Sequence, residues 1–344
     1  MKNSHSKIKQ PTMYDVAKLA GVSQPTVSRV LNQNDTSVQI SDDTRQRVMD
    51  AVDKLGYRPN VTARSLRTHR SHMIALLIAD ISNGFYHSIT RSIQDVARHK
   101  GYEVLISNSD HVYENEKHFC EVVSGRGVDG LIMVPIHLTN NDLSNFYTQT
   151  RTPMTVLGIQ ITHPNIDVVY LDDEKAVYET AKWMISERGY TSLGYVGVSD
   201  DLPPGPRRWR GFTRALGECG VSLDPRYVIE GDFTLESGRK VAHQFIEMGT
   251  LPRAIFALND LMAIGLILAL QDAGYKVPDD VAVVGFDDIP EATIVRPALT
   301  TIAQNPQDIG IRLCEALIER IEDPQVVERR VYESFYKLMQ RQSG

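Results

Sequence analysis

Two groups of residues in this 344-residue chain have types and spacings that could do chemistry. Near the N-terminus, Gln24, Pro25, Ser28 and Arg29 would share the outward face of a short helix whose other face carries Val27, Val30 and Leu31. Amide, hydroxyl and guanidinium groups on such a face can hydrogen-bond base edges and phosphates. Farther along, Asp80, Asn83, Phe85 and Tyr86 follow one short apolar run, Asn259 and Asp260 follow another, and Asp287 and Asp288 follow a third. Carboxylates and an amide grip hydroxyl groups, and aromatic rings cover flat apolar faces. These are the means of a sugar or nucleobase site.

Covalent and metal chemistry find little support. No Gly-x-Ser-x-Gly elbow and no His-Glu-x-x-His pair occurs, and no nucleophile stands beside a base. Cys120, Cys219 and Cys314 are odd in number and far apart, which argues against a disulfide framework or zinc cluster. Gly125 to Gly130 spells Gly-x-Gly-x-x-Gly, but it follows a helical pattern and precedes a strand, the reverse of a dinucleotide fingerprint. We read it as a turn. No catalytic residue, metal or cofactor is expected.

The elements that would position the first group are legible. Val16, Ala17 and Ala20 recur at helical spacing after Thr12, and Gly21 supplies a sharp turn. Ser23 then caps a second helix in which Pro25 occupies the first turn, where no hydrogen bond is lost. A third helix opens at Ser41 with Asp42 and Asp43 and runs through Val48, Ala51, Val52 and Leu55 to Gly56. Taken alone, this pattern suits any small helical domain as well as a helix-turn-helix. Charge favours the latter. Residues 1–70 hold 12 Lys and Arg against six Asp and no Glu, whereas the remainder holds 25 basic and 37 acidic residues. Phosphate contacts need that local basic surface, which the overall charge of −6 conceals.

The second group requires a different scaffold. Apolar runs at 74–79, 104–106, 131–134 and 154–157, and again at 193–197, 254–258, 281–285 and 299–302, alternate with stretches of helix length. Strands alternating with helices form parallel sheets, and some 270 residues is too long for one typical sheet. Two doubly wound α/β subdomains with a cleft between them are expected, with ligands at the carboxyl ends of the strands.

Residues 12–32, with Leu55 to Asn60 and Ala63 to Leu66, resemble the DNA-binding head and hinge of the LacI-type bacterial regulators, and the similarity runs through nearly the whole chain. The resemblance implies a helix-turn-helix domain at 1–58, a hinge at 59–71 and a periplasmic-binding-protein-like core at 72–344. The chain would cross between core subdomains near 158–166, 286–291 and 303–306. It implies DNA contacts by Thr12, Tyr14, Ser23, Gln24, Pro25, Thr26, Ser28, Arg29, Asn32, Asn60 and Arg64. Leu66, an apolar residue among Arg64, Arg67 and Arg70, would wedge into the minor groove. Pro25 departs from the polar or small residue usual at its position, so specificity there would come by apolar contact or be left to Gln24 and Arg29.

For the core, Arg208-Trp209-Arg210-Gly211-Phe212 matches the family element whose arginine binds the effector. Asn259 and Asp287 match recurrent polar contacts, Tyr86 and Phe233 match rings that sandwich a flat ligand, and Phe85 and Asp172 are added as lining residues. Each has a plainer reading: Asn259 as a helix cap, Phe233 as core, Arg208 as a solvated charge. Where the family often carries an aspartate after the fourth strand, this chain has Gly158-Ile159.

The polar N-terminus and the absence of any 18-residue apolar stretch argue against export or a membrane span, and suggest the cytoplasm. No heptad tail is evident, so a homodimer on a pseudo-palindromic operator is the expected assembly. The expected function is a repressor whose grip on double-stranded operator DNA is set by a small-molecule effector, a carbohydrate that releases it. A nucleoside, purine or sugar phosphate acting as corepressor remains the alternative, ahead of a sugar-processing protein fused to a DNA module.

Overall fold

The computed structural model describes residues 11–31, 40–58, 70–323, 325–326 and 328–344, in two units, Met1–Ser71 and His72–Gly344. In the first unit, α1 (Met13–Ala20), α2 (Gln24–Leu31) and α3 (Asp42–Leu55) enclose a core of Val16, Ala17, Ala20, Val27, Val30, Val48, Ala51 and Tyr57. Local chemistry sets each helix end. A capping box between Thr12 and Asp15 starts α1, and Gly21 at φ 67° ends it in a left-handed conformation that side-chain-bearing residues resist. Ser23 Oγ accepts from Thr26 N at 3.3 Å, and Ser41 Oγ accepts from Thr44 N, so both expected caps are in place. Arg47 of α3 donates to the Ala20 carbonyl and binds the end of α1.

The second unit begins with β1 (Met73–Ile78), α4 (Gly84–His99), β2 (Glu103–Asn108), α5 (Tyr113–Arg126), β3 (Gly130–Met133), α6 (Asn140–Thr150), β4 (Met154–Leu157) and β5 (Ile166–Tyr170). It continues with α7 (Asp173–Ser186), β6 (Leu193–Gly197), α8 (Pro204–Cys219), β7 (Val228–Glu230), α9 (Leu235–Glu247), β8 (Ala254–Ala257), α10 (Asp260–Asp272), β9 (Ala282–Asp287), α11 (Glu291–Ile294) and β10 (Thr300–Gln304). The chain closes with α12 (Pro306–Glu322), β11 (Val331–Glu333) and β12 (Tyr336–Met339). These build a six-stranded parallel sheet ordered β11-β5-β4-β3-β1-β2 and a second ordered β12-β10-β9-β8-β6-β7, in which only β12 is antiparallel. Each sheet is covered by helices, as its near-continuous burial demands.

Two of the three crossings between halves differ from the expectation. The chain passes from the first sheet to the second between β5 and α7, because residues 158–166 lead into the fifth strand of the first sheet. It returns after β10, within the expected 303–306. The third crossing lies between β11 and β12, not at 286–291, whose Phe286 and Ile289 stay in the core of the second half. The strand β5 escaped the apolar pattern because Asp167 interrupts it. That carboxylate is buried and held by Arg320 at 2.6 Å and Arg330 at 2.7 Å, which clamps α12 and the entry to β11 onto the first sheet. The Gly125–Gly130 motif is the turn between α5 and β3, with Gly127 left-handed at φ 61°.

Candidate functional site

The strands of both halves deliver their carboxyl ends to one cavity, the usual place for a ligand in open α/β sheets. Phe85, Tyr86, Arg208, Phe233, Asn259 and Asp287 all line it. Asp172 does not. It caps α7, accepting from Lys175 N, and its neighbour Asp173 faces the cavity instead.

Arg208 shows how the local sequence builds the site. From the first turns of α8 it is buried, with its guanidinium 3.6 Å from the Phe286 ring centre. It donates to the Leu258 carbonyl and through Nε to Asp173 Oδ2 at 3.4 Å. Arg207 takes the same carboxylate, Nε to Oδ1 at 2.8 Å. The rest of the motif explains itself by packing. A Cβ on Gly211 would lie 2.1 Å from the Glu174 carbonyl oxygen, so glycine lets α8 lie against α7, and Phe212 fills the core. Arg208 is thus no solvated charge.

The plainer reading of Asn259 holds in part. Its Oδ1 caps α10 by accepting from Met262 N at 3.0 Å, while its Nδ2 donates to the Phe233 carbonyl at 2.8 Å and anchors that loop. Phe233 itself is only partly buried and sits at φ 69°. Asp287 ends β9 at φ 120°, a conformation side chains rarely adopt, and accepts from Gln304 Nε2 at 2.6 Å. Burial pushes its carboxyl up to about 7, against the opposing pull of Arg208 and the Gln304 hydrogen bond. Asp260, fully buried below it, is raised by the same desolvation and by Asp287. Its oxygens accept from Ile289 N and Thr301 Oγ1, so it braces the β9–α11 turn and does not line the cavity. Burial likewise raises the Tyr86 phenol.

Several lining residues went unnamed in the sequence: His111, Gln160, Asp173, Arg207 and Gln304. His111 and Gln160 follow β2 and β4, so the strand-end argument applied to every strand would have found them. Arg207 adjoins a residue that was named, and Gln304 lies on a crossing. Pro203, the N-cap of α8, and Pro204, its first residue, also line the cavity.

In the N-terminal unit, Thr12, Ser23, Gln24 and Pro25 are exposed and Tyr14 is 60% exposed, while Thr26, Ser28 and Arg29 are partly buried. Gln24, Pro25, Ser28 and Arg29 lie on the face of α2 opposite Val27 and Val30. Asn32, Asn60, Arg64 and Leu66 lie outside the described residues. Among the described residues, no helix is long and apolar enough to cross a membrane.

Comparison with known proteins agrees with this geometry. Residues 12–60 match the family of bacterial regulatory proteins, lacI family, and residues 184–344 match the periplasmic binding protein-like domain. Catabolite control protein A of Priestia megaterium is 33% identical over 333 residues, covering 96% of this chain and 98% of that protein. The lac repressor dimer bound to operator and the anti-inducer ONPF superimposes with a TM-score of 0.83 at 26% identity, covering 97% and 99% of the two chains. A complex of the transcriptional regulator CelR with cellobiose gives 0.72 at 27% identity, covering 97% and 100%. With a capped helix-turn-helix at one end and a two-sheet ligand cavity at the other, the chain belongs to the lacI family, DNA-binding transcriptional repressors with an effector-binding core.

Proposed function

We propose that the cavity takes a neutral, hydroxyl-rich effector of the carbohydrate class, and that its binding releases a homodimer from a pseudo-palindromic operator. The charge inventory carries this reading. Arg207 and Arg208 are both engaged by Asp173, and the next charged group, Asp287, is a carboxylate. The two lining cations thus face two carboxylates, Asp173 and Asp287, a balance that favours a neutral ligand over a phosphate. Asp287, Gln160 and the remaining Arg208 donors suit hydroxyls, and Phe85, Tyr86 and Phe233 supply rings for an apolar sugar face. The cellobiose held by the related CelR supports the class.

On the DNA side, α2 would enter the major groove with Gln24 and Arg29 at base edges, Pro25 in apolar contact and Ser28 beside them. Thr12, Tyr14, Ser23, Thr26, Asn32, Asn60 and Arg64 would hold the backbone, and Leu66 would open the minor groove. Effector binding would bias the closure of the two core halves and thereby the pairing of hinges on DNA.

A thermal-shift screen of the full chain with neutral mono- and disaccharides, their phosphates and nucleosides tests the ligand class. A neutral sugar should raise the melting temperature and weaken operator binding. Stabilisation by sugar phosphates or nucleosides alone would overturn the carbohydrate reading.

A further inference from the structure

His111 and Phe233 come from opposite halves of the core, yet their rings stack at 5.3 Å between centroids and 15° between planes. His111 follows β2, where Ser109 N and Asp110 N are bound to the Ile78 and Ala79 carbonyls. Phe233 follows β7, where Gly231 N is bound to the Gly197 carbonyl. Both residues sit in the left-handed region, at φ 55° and 69°, which is uncommon for side-chain-bearing residues, histidine less so than phenylalanine. Two loops, one from each half, thus turn through left-handed residues where their rings meet.

Both rings also line two cavities at once. One is the cavity described above, and the other is a more open space bordered by Asp80, Asp110, His137, Asp201, Glu230 and Asp232. The stack is the partition between them. We infer that the His111–Phe233 stack is a latch across the cleft, closed by a neutral imidazole and released when His111 takes up a proton.

The environment of the ring sets the cost of protonating it. Nδ1 of His111 is buried and has no hydrogen-bond partner, so an N–H⁺ placed there would be charged, desolvated and unpaired. Burial accordingly holds the imidazole below its ordinary value, and the nearby His137 acts in the same direction. Asp80, Glu116 and Asp110 on its own half pull the other way. Asp201, Glu230 and Asp232 face the open cavity from the opposite half. Once the rings part, water reaches Nδ1 and these carboxylates stabilise the imidazolium. A basic group whose value is depressed in the closed form contributes to closure above its open-form value, and that contribution is lost as pH falls through it.

The test needs no ligand, so its outcome is separate from that of the effector assignment. Hydrogen–deuterium exchange of the full chain would follow the amides of Ser109, Asp110 and Gly231, corrected for the intrinsic pH dependence, with circular dichroism verifying the fold. Wild-type exchange at both loops should rise by about fivefold between roughly pH 8 and pH 5.5. His111→Ala should exchange at the faster rate at both pH values, while His111→Phe, which keeps a ring and cannot titrate, should stay slow at both. Unchanged wild-type exchange across this range would overturn the latch. So would a His111→Phe protein that keeps the wild-type response, or a His111→Ala protein as slow as wild type at the higher pH.

Discussion

At the scale of single residues, the site is organised by which charges are already paired. Arg208 reaches the cavity because Asp173, the Leu258 carbonyl and the Phe286 ring replace the water it loses. Arg208→Ala should abolish the effector response, measured as ligand-induced release of labelled operator, while leaving ligand-free operator affinity within about twofold, since the proposed DNA contacts belong to the other unit. A retained response would remove Arg208 from the site. Asp287 makes a second prediction. Its folded-state value, about 7, lies above that of an unfolded aspartate, so its ionisation opposes folding as pH rises. Asp287→Asn, a mimic of the protonated acid, should gain stability over wild type between about pH 4 and pH 7, by roughly 2–4 kcal/mol, and hold that gain above. Melting curves across this range would show it, and a gain that shrinks as pH rises would contradict it.

At the scale of elements, glycine decides how closely helices approach. Gly211 seats α8 on α7, and Gly238 and Gly265 do the same between α9 and α10, where added Cβ atoms would lie 2.2 Å and 2.1 Å from carbonyl oxygens. Gly211→Ala should force α7 and α8 apart, lowering stability by about 2–3 kcal/mol and the melting temperature by several degrees. Because Arg208 lies one turn away, ligand affinity should fall with it, whereas Gly217→Ala, with open space around its α-carbon, should leave ligand affinity unchanged and raise stability by up to about 1 kcal/mol. The caps of α1, α2 and α3 and the eight apolar strands were legible because each depends on residues within a turn or a pleat of one another. The strands β5, β7, β11 and β12 were not. Asp167 breaks the apolar run of β5, and its reason for burial, Arg320 and Arg330, lies some 150 residues away in sequence. The other three are short, partly exposed edge or near-edge strands.

At the scale of the whole molecule, charge is divided by function. Twelve basic residues against six acidic ones through residue 70, followed by an acidic core, predict operator affinity that falls steeply with salt while effector affinity barely changes. Fluorescence anisotropy at several salt concentrations measures both, and parallel salt slopes would count against the division. What the sequence determined by itself is whatever short-range spacing encodes: the helix-turn-helix, the alternation of strands and helices, and the strand ends where polar residues gather. The tertiary structure alone decided where the chain crosses between halves and that Asp173, not Asp172, faces the cavity. It also decided that Asn259 is cap and loop anchor at once, and that His111 meets Phe233. Each of these depends on groups far apart in the chain being brought within a few ångströms. Such proximity is a property of packing, which local pattern does not carry.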